Sequence, residues 1–367
     1  MSTVPEYRDD IGAWWVRDPA HVRQVLLDPE TFDPANALTA VHPISPENLR
    51  TLSRVGFALP PTLANNATAT HAEIRSVVAR YFSAGMVKAV EPEVRGVARA
   101  HLRPLADRLR AGQHVDLVSG YCAEAPAQIL LTMLDLKEVD VAALKRWSAD
   151  SLELFWGFPG ERRQRALAAS ASEFYAWLDE WVRRDIRDHS EGLFASLASL
   201  GISHTEVCAA AYFLMVAGHE TTTQLVSTVL WTVASEPERW WGTAVDVPTA
   251  ASALVDDVLS ARSSVPTWRR VTTRHTQVGG VDLPAGATVL LQLTDTGADA
   301  SLAFGVGVHR CLGVRLALLE ATIAVEEAVN ELPPIRVSEM SPPMLDLVSF
   351  QAPRRVLVEP IGQSVAH

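Results

Sequence analysis

Cys311 has the most reactive surroundings in the chain. It lies in FGVGVHRCLG, Phe304 to Gly313, where three glycines, a histidine and an arginine crowd one thiol. The segment runs into VRLALLEATIAVEEAV, whose apolar spacing predicts a helix. A thiol at a helix N-terminus meets unpaired N–H groups and the positive end of the dipole, which favours its thiolate. Gly305 and Gly307 permit tight turning and close approach to a flat partner, and His309 and Arg310 add positive charge. Together they describe a stabilised thiolate held against something large. Cys122 and Cys208 lack such neighbours and read as small buried hydrophobes. The three cysteines are far apart and form no Cys-x-x-Cys, which disfavours a disulfide framework, a zinc site or a dithiol redox site.

A second cluster is AGHETTT, Ala217 to Thr223. A glycine and three β-branched threonines in a helix interior are locally unfavourable. A local rule broken inside a buried element marks a candidate functional site. Glu220 and Thr221 set an acid beside an alcohol in an apolar stretch, a pairing suited to relaying protons. The competing reading is a kinked core helix with a satisfied glutamate. Further upstream, His71 and Arg75 stand four apart on one predicted helix face. Arg269 and Arg270 precede a predicted hairpin.

The elements that must position these residues are mainly helices. Ala72–Phe82, Val90–Ala111 and Ser170–Asp188 carry apolar residues at three- and four-residue spacing, with Pro104 expected to kink or end the second. The longest helix is predicted from Ser203 to Ser235, opened by the capping box SHTE and closed by Pro237. Its first half is apolar nearly all round, which places it at the centre of the fold. Thr276 to Leu293 reads as strands about Gly-Gly and Pro-Ala-Gly turns, and Arg354 to Pro360 as another strand. With no repeat and no linker, residues 1–367 read as one mainly helical domain with a small β region.

The net charge of −11 disfavours nucleic acid and anionic membranes as partners. The longest apolar run, Cys208 to Gly218, is too short to span a bilayer, and the acidic N-terminus does not resemble a signal peptide. A reduced, cytoplasmic setting is expected.

FGVGVHRCLG resembles the haem-binding loop of the cytochrome P450 family, Phe-Gly-x-Gly-x-His-x-Cys-x-Gly, at every defined position. The resemblance implies a mainly α, P450-like single domain with heme b as cofactor. Cys311 would be the axial thiolate, favouring O–O cleavage. Phe304 would pack by the sulfur, with Gly305 and Gly313 shaping the loop, and His309 would bond a haem propionate. AGHET is similar to the family's distal-helix motif, so Ala217 and Gly218 would leave room for oxygen and substrate, and Glu220 and Thr221 would be catalytic. HAEIR matches the family's His-x-x-x-Arg, making His71 and Arg75 propionate partners, and TWRRVTT offers Arg270 as a third. AWWVRDPAHVRQVLLDPETF, Ala13 to Phe32, also resembles the family, but little precedes it.

Two further departures stand out. At the positions of the family's Glu-x-x-Arg pair the chain has Asp257 and Ser260. Between Leu291 and Phe304 only twelve residues remain, so the meander that partners that pair is missing as well. The joint loss is coherent, because an unpaired buried charge is costly.

The resemblance implies an oxidoreductase, a haem-thiolate monooxygenase activating O2 opposite Cys311, in secondary metabolism. Electrons would come from a ferredoxin and ferredoxin reductase, since no flavin or dinucleotide fingerprint occurs. One alternative is peroxide-driven oxidation, ring closure or rearrangement. Another is a haem-free, P450-like activator or scaffold protein. Phe155, Trp156, Met215, His219, Val265 and Trp268 are the candidate substrate pocket, with Phe158 in the same segment. They suit an apolar or aromatic small molecule, free or tethered to a carrier protein.

Overall fold

The capping box at Ser203 forms as the sequence predicts. The Ser203 hydroxyl accepts from the Glu206 N–H, the Glu206 carboxylate accepts from the Ser203 N–H, and the helix runs His204–Ser235. In this computed structural model, residues 4–189, 191–242, 245–295 and 300–362 are described. Twelve helices are found among them. These are α1 (Pro19–Leu27), α2 (Pro46–Ser53), α3 (Thr70–Tyr81), α4 (Ala84–Arg110), α5 (Ala125–Met133), α6 (Val141–Trp156), α7 (Glu161–Asp188), α8 (Leu193–Ala198), α9 (His204–Ser235), α10 (Pro237–Trp241), α11 (Val247–Arg262) and α12 (Val314–Glu331).

α9 is buried along almost its whole length, from Val207 to Ala234. Its local propensity is poor, and buried hydroxyls along it find their acceptors within the helix itself. The hydroxyls of Thr221, Ser227, Thr228 and Thr232 each donate to the carbonyl four residues back. α5, α6, α7, α11 and α12 pack around it and build one large apolar core.

Pro104 does not end α4, one of the two outcomes expected from the sequence, and Pro92 also lies inside the helix. Both prolines and the carbonyl-bearing residues four before them are on the solvent face, so water can take up the freed carbonyls. The opposite face, Val94, Ala98, Leu102 and Leu105, is buried. Beside it an ionic ladder ties α4 to α12. Arg95 meets Glu326 at 2.7 Å and Glu327 at 3.1 Å, and Arg99 meets Glu327 at 2.8 Å.

The β region is small. β1 (Glu6–Arg8), β2 (Ala13–Val16), β3 (Phe32–Asp33), β5 (Thr267–Thr272) and β8 (Thr288–Gln292) make a sheet ordered β1-β2-β8-β5-β3. β4 (Val115–Asp116), β9 (Ile335–Val337) and β12 (Leu357–Pro360) form a second sheet, with β12 central. β6 (Thr276–Val278) pairs with β7 (Val281–Leu283), and β10 (Met344–Leu347) with β11 (Phe350–Pro353). A separate apolar cluster, including Val16, Val25, Leu26, Phe32 and Leu291, joins the first sheet to α1. No helix among the described residues is long and apolar enough to cross a membrane.

Candidate active site

The Cys311 loop is shaped by two left-handed glycines. Gly305 and Gly307 have φ of +68° and +76°, where a Cβ is strained. A Cβ on Gly307 would also lie 3.2 Å from the Leu26 carbonyl of α1. The Cys311 N–H donates to the Phe304 carbonyl at 2.9 Å, closing the loop, and Gly313 is the N-cap of α12. Protein surrounds Cys311, yet its side chain is accessible because it opens into a cavity.

That cavity, about 240 Å³, runs between the loop and α9. Phe304, Gly305, His309, Cys311 and Gly313 line one wall, and Ala217, Gly218 and Thr221 the opposite wall. The expectation of a favoured thiolate is corrected here. Burial pushes the Cys311 thiol up, and the Gly313 N–H and the charges of Arg75 and Arg310 only partly oppose it.

Three basic residues gather at the cavity's edge, with a fourth behind them. Arg270 is 2% exposed, its Nε has no partner, and burial lowers it to about 10. His309 Nε2 lies 2.7 Å from the Asn66 carbonyl, so it must carry the proton and donate it. His309 Nδ1 is buried without a partner. Burial lowers this imidazole to about 4, with the charges of Arg270 and Arg75 acting the same way. His71 stands behind His309, ring centroids 4.5 Å apart, and does not itself line the cavity. Its Nε2 is also unpartnered, and burial and Arg75 lower its pKa. Arg75 lines the cavity and donates to the Arg310 carbonyl. Arg269 points elsewhere and binds the Thr39 carbonyl at 2.7 Å.

On α9 the stripe Leu214, Ala217, Gly218, Thr221, Thr222, Leu225 faces the cavity. Glu220 does not. One residue before Thr221 is about 100° round the helix, and its carboxylate turns to α6, where Lys145 Nζ meets it at 2.6 Å. The same ammonium reaches Thr223 Oγ1 at 3.0 Å and His219 Nδ1 at 3.3 Å, which uses all three of its protons. His219 Nε2 then donates to Ser148 Oγ at 3.2 Å. Burial and the Lys145 charge hold His219 neutral, well below its ordinary value.

His219 and Met215 are fully buried and line neither this cavity nor the apolar one beside it. Both lie off the cavity-facing stripe, so the pocket role expected of them is corrected. The space left by Gly218 also goes partly elsewhere: a Cβ would meet Leu130 of α5 at 2.8 Å.

The adjoining cavity, about 100 Å³, is lined by Phe155, Trp156, Val265 and Trp268 together with Phe213 and Phe350. Trp156 stacks near Trp268 with centroids 6.2 Å apart, and meets Phe350 edge-on at 5.0 Å. Ser151 on its wall is bonded to the Trp147 carbonyl and to Tyr212. Phe158 is exposed and belongs to the surface. Thr221, Ala217, Val265 and Trp268 border both cavities.

No family model matches the sequence. Individual proteins do. The erythromycin C-12 hydroxylase of Saccharopolyspora erythraea is 28% identical over 352 residues, 89% of this chain and 83% of that protein. The cytochrome P450 monooxygenase PikC of Streptomyces venezuelae is 26% identical over 354 residues, 90% and 80% of the two chains. The P450 heme domain of Tepidiphilus thermophilus superposes with a TM-score of 0.87 at 28% identity, covering 98% of this chain and 91% of that one. Cytochrome P450 CREJ in complex with (4-ethylphenyl) dihydrogen phosphate gives 0.88 at 26%, covering 97% and 94%. The chain belongs to the cytochrome P450 family.

As a P450 it is an oxidoreductase of the monooxygenase kind, and haem is its family's cofactor. The residues present fit that group. A thiol opens into the cavity from one wall, and Arg270 and His309 bring buried, unpartnered nitrogens to its edge, with His71 behind them. Orphaned nitrogens of this kind are rare in a finished core and suit carboxylates.

This P450 holds its loop without the Glu-x-x-Arg pair. The Ser260 carbonyl on α11 accepts the Asp295 N–H at 2.8 Å, so the chain is bonded directly to the helix where the family's arginine would stand. A 3-10 turn, Ala300–Phe304, then packs on α11. Residues 296–299 of the intervening segment lie outside the described residues. Arg262 turns to α9 and stacks on Trp231 at 5.2 Å. Sequence reasoning missed Lys145, Ser148 and Asn66. Their partners are 71 or more residues away, beyond the reach of any local pattern.

Proposed function

We propose that this P450 is a heme b monooxygenase of the cytoplasm, acting on an apolar or aromatic small molecule in secondary metabolism. The carrying observation is the arrangement of its two cavities. Cys311 faces Ala217 and Thr221 across one, and an aromatic box opens beside Thr221 in the other. Bound between those walls, haem supplies the iron centre that activates dioxygen with electrons from a ferredoxin and its reductase.

The protein's own part is positioning. Cys311 Sγ, once deprotonated, would hold the haem iron as a thiolate. Arg270, Arg75 and His309 hold carboxylates at the cavity's edge, with His71 supporting His309. Phe304 and the Gly305–Gly313 turn shape the wall around the sulfur. Thr221 donates to the Ala217 carbonyl at 3.0 Å, so its oxygen can accept from a molecule in the cavity. Glu220 stands on the α6 side, and serving Thr221 requires it to exchange Lys145 for water. Phe155, Trp156, Val265 and Trp268 exclude water and orient an apolar substrate, free or tethered to a carrier protein.

The reduced protein with carbon monoxide should show the Soret shift of a thiolate-ligated haem. Absence of that shift would leave the haem-free scaffold reading. Product formed with ferredoxin and reductase, but not with peroxide alone, supports the monooxygenase. The reverse result identifies a peroxide-driven oxidase.

A further inference from the structure

Away from the haem cavity, α7 and the start of α9 bring three ligating groups to one point. His204 Nε2 lies 2.7 Å from Asp179 Oδ1. Cys208 Sγ lies 3.3 Å from that nitrogen and 3.8 Å from that oxygen. His204 and Cys208 are one turn apart on the same face of α9, and Asp179 faces them from α7. Composition and cysteine spacing disfavour a zinc site, because they register only ligands close in sequence. Here the fold supplies the third ligand from 25 residues away.

The pattern of contacts distinguishes a metal site from a nucleophile. A Cys–His–Asp relay needs the acid on one imidazole nitrogen and the thiol on the other. In this cluster both crowd the same nitrogen, Nε2. A single centre between the three atoms satisfies all of them. Tetrahedral zinc, with bonds of about 2.0 Å to nitrogen and oxygen and about 2.3 Å to sulfur, sets neighbouring ligand atoms roughly 3.3–3.6 Å apart. The two sulfur separations already lie near that range, and the His204–Asp179 contact must open by about 0.6 Å to reach it.

Cys208 is fully buried, while the Asp179 and His204 side chains are 31% and 28% exposed. The fourth position therefore faces solvent and suits a water. Arg183 sits on Asp179, 3.1 Å from Oδ2 and 3.2 Å from Oδ1, and competes for the carboxylate. It is 59% exposed and free to turn outward.

We propose that Asp179, His204 and Cys208 form a site for a zinc-class divalent ion that fastens α7 to the start of α9. Thiol, imidazole and carboxylate together select a borderline-soft ion over magnesium or calcium. On binding, the Cys208 S–H bond breaks, its proton leaves to solvent, and the thiolate and carboxylate balance the two positive charges. Tyr212 lies one turn beyond Cys208 on α9 and lines the aromatic cavity, so the clamp sits beside the wall of the substrate pocket.

The test is calorimetric titration of Zn2+ into the haem-loaded protein after chelation and dialysis. One ion per chain is expected, with thermal stability rising with zinc concentration. Cys208→Ser and His204→Ala should each lower the affinity by at least about tenfold while leaving the carbon monoxide spectrum unchanged. Cd2+ should produce an ultraviolet thiolate charge-transfer band that Cys208→Ser abolishes. No saturable zinc binding, or binding unaltered by both substitutions, overturns the proposal. If either variant fails to fold, the cadmium band in the unaltered protein decides, and its absence overturns the site.

Discussion

Two buried polar clusters flank α9, and they are built on opposite terms. At the cavity's edge Arg270 and His309, with His71 behind them, keep nitrogens without partners. On the α6 side, Lys145, Glu220, His219, Thr223 and Ser148 satisfy one another, down to the third proton of the lysine. Both are charged or ionisable groups withdrawn from water. The first is stable only as a receptor, because burial already weakens its cations and a carboxylate would restore them. The second is complete and needs no ligand. Unpartnered nitrogens beside a cavity, more than burial or charge alone, are what mark the binding side of this fold.

Lys145→Met tests the completeness of the second cluster most severely. It strands the buried Glu220 carboxylate, and a loss of about 3–5 kcal/mol is expected in denaturant unfolding. Lys145→Met combined with Glu220→Leu should recover most of that loss. A small effect of the single change would show that the network is not a closed unit. Ser148→Ala leaves the His219 Nε2–H without an acceptor, and about 1–3 kcal/mol should be lost in the same assay.

Arg270→Leu probes the first cluster and should behave in the opposite way. It removes a buried cation that has little to pair with, so the haem-free protein should keep its stability or gain some. Haem affinity should fall by about tenfold or more, measured by transfer to a haem acceptor. Equal losses of stability in Arg270→Leu and Lys145→Met would erase the distinction between the clusters.

The smallest expected effect is a pH dependence. With Nε2–H committed to Asn66, His309 can donate to a carboxylate only through a protonated Nδ1. Its pKa is about 4 without that partner and rises when the carboxylate binds. The His309 share of haem affinity is thus fully present below about pH 4 and is lost as pH rises through the raised, haem-bound value. Haem release should quicken with pH in that window, and His309→Ala should flatten the profile.

The residues around Cys311 could be read because their work is local. Two left-handed glycines, an N-cap and a thiol fall within nine residues and leave a spacing that sequence preserves. α9 was legible for a related reason, since a capping box and an apolar circumference are properties of one segment. The direction of Glu220 was not legible. One residue's shift around a helix decides between cavity and core, and Lys145, which settles it, is 75 positions away. The misplacement of Met215 and His219 has the same origin. The Asp295–Ser260 bond was hidden for another reason: a backbone group replaces a side-chain pair and leaves no residue type to find.

The Cys311 loop rests on parts of the chain that are very distant in sequence. His309 reaches Asn66 and Arg75 reaches Arg310, separations of 243 and 235 residues, and Leu26 sits under Gly307. Contacts of such range close late in folding, because the loop entropy must be met before they form. The cavity therefore takes shape only when both ends of the chain have come together. Cofactor capture belongs to the last stage of maturation, after synthesis has passed α12, and a nascent chain lacking its final third has no pocket to load.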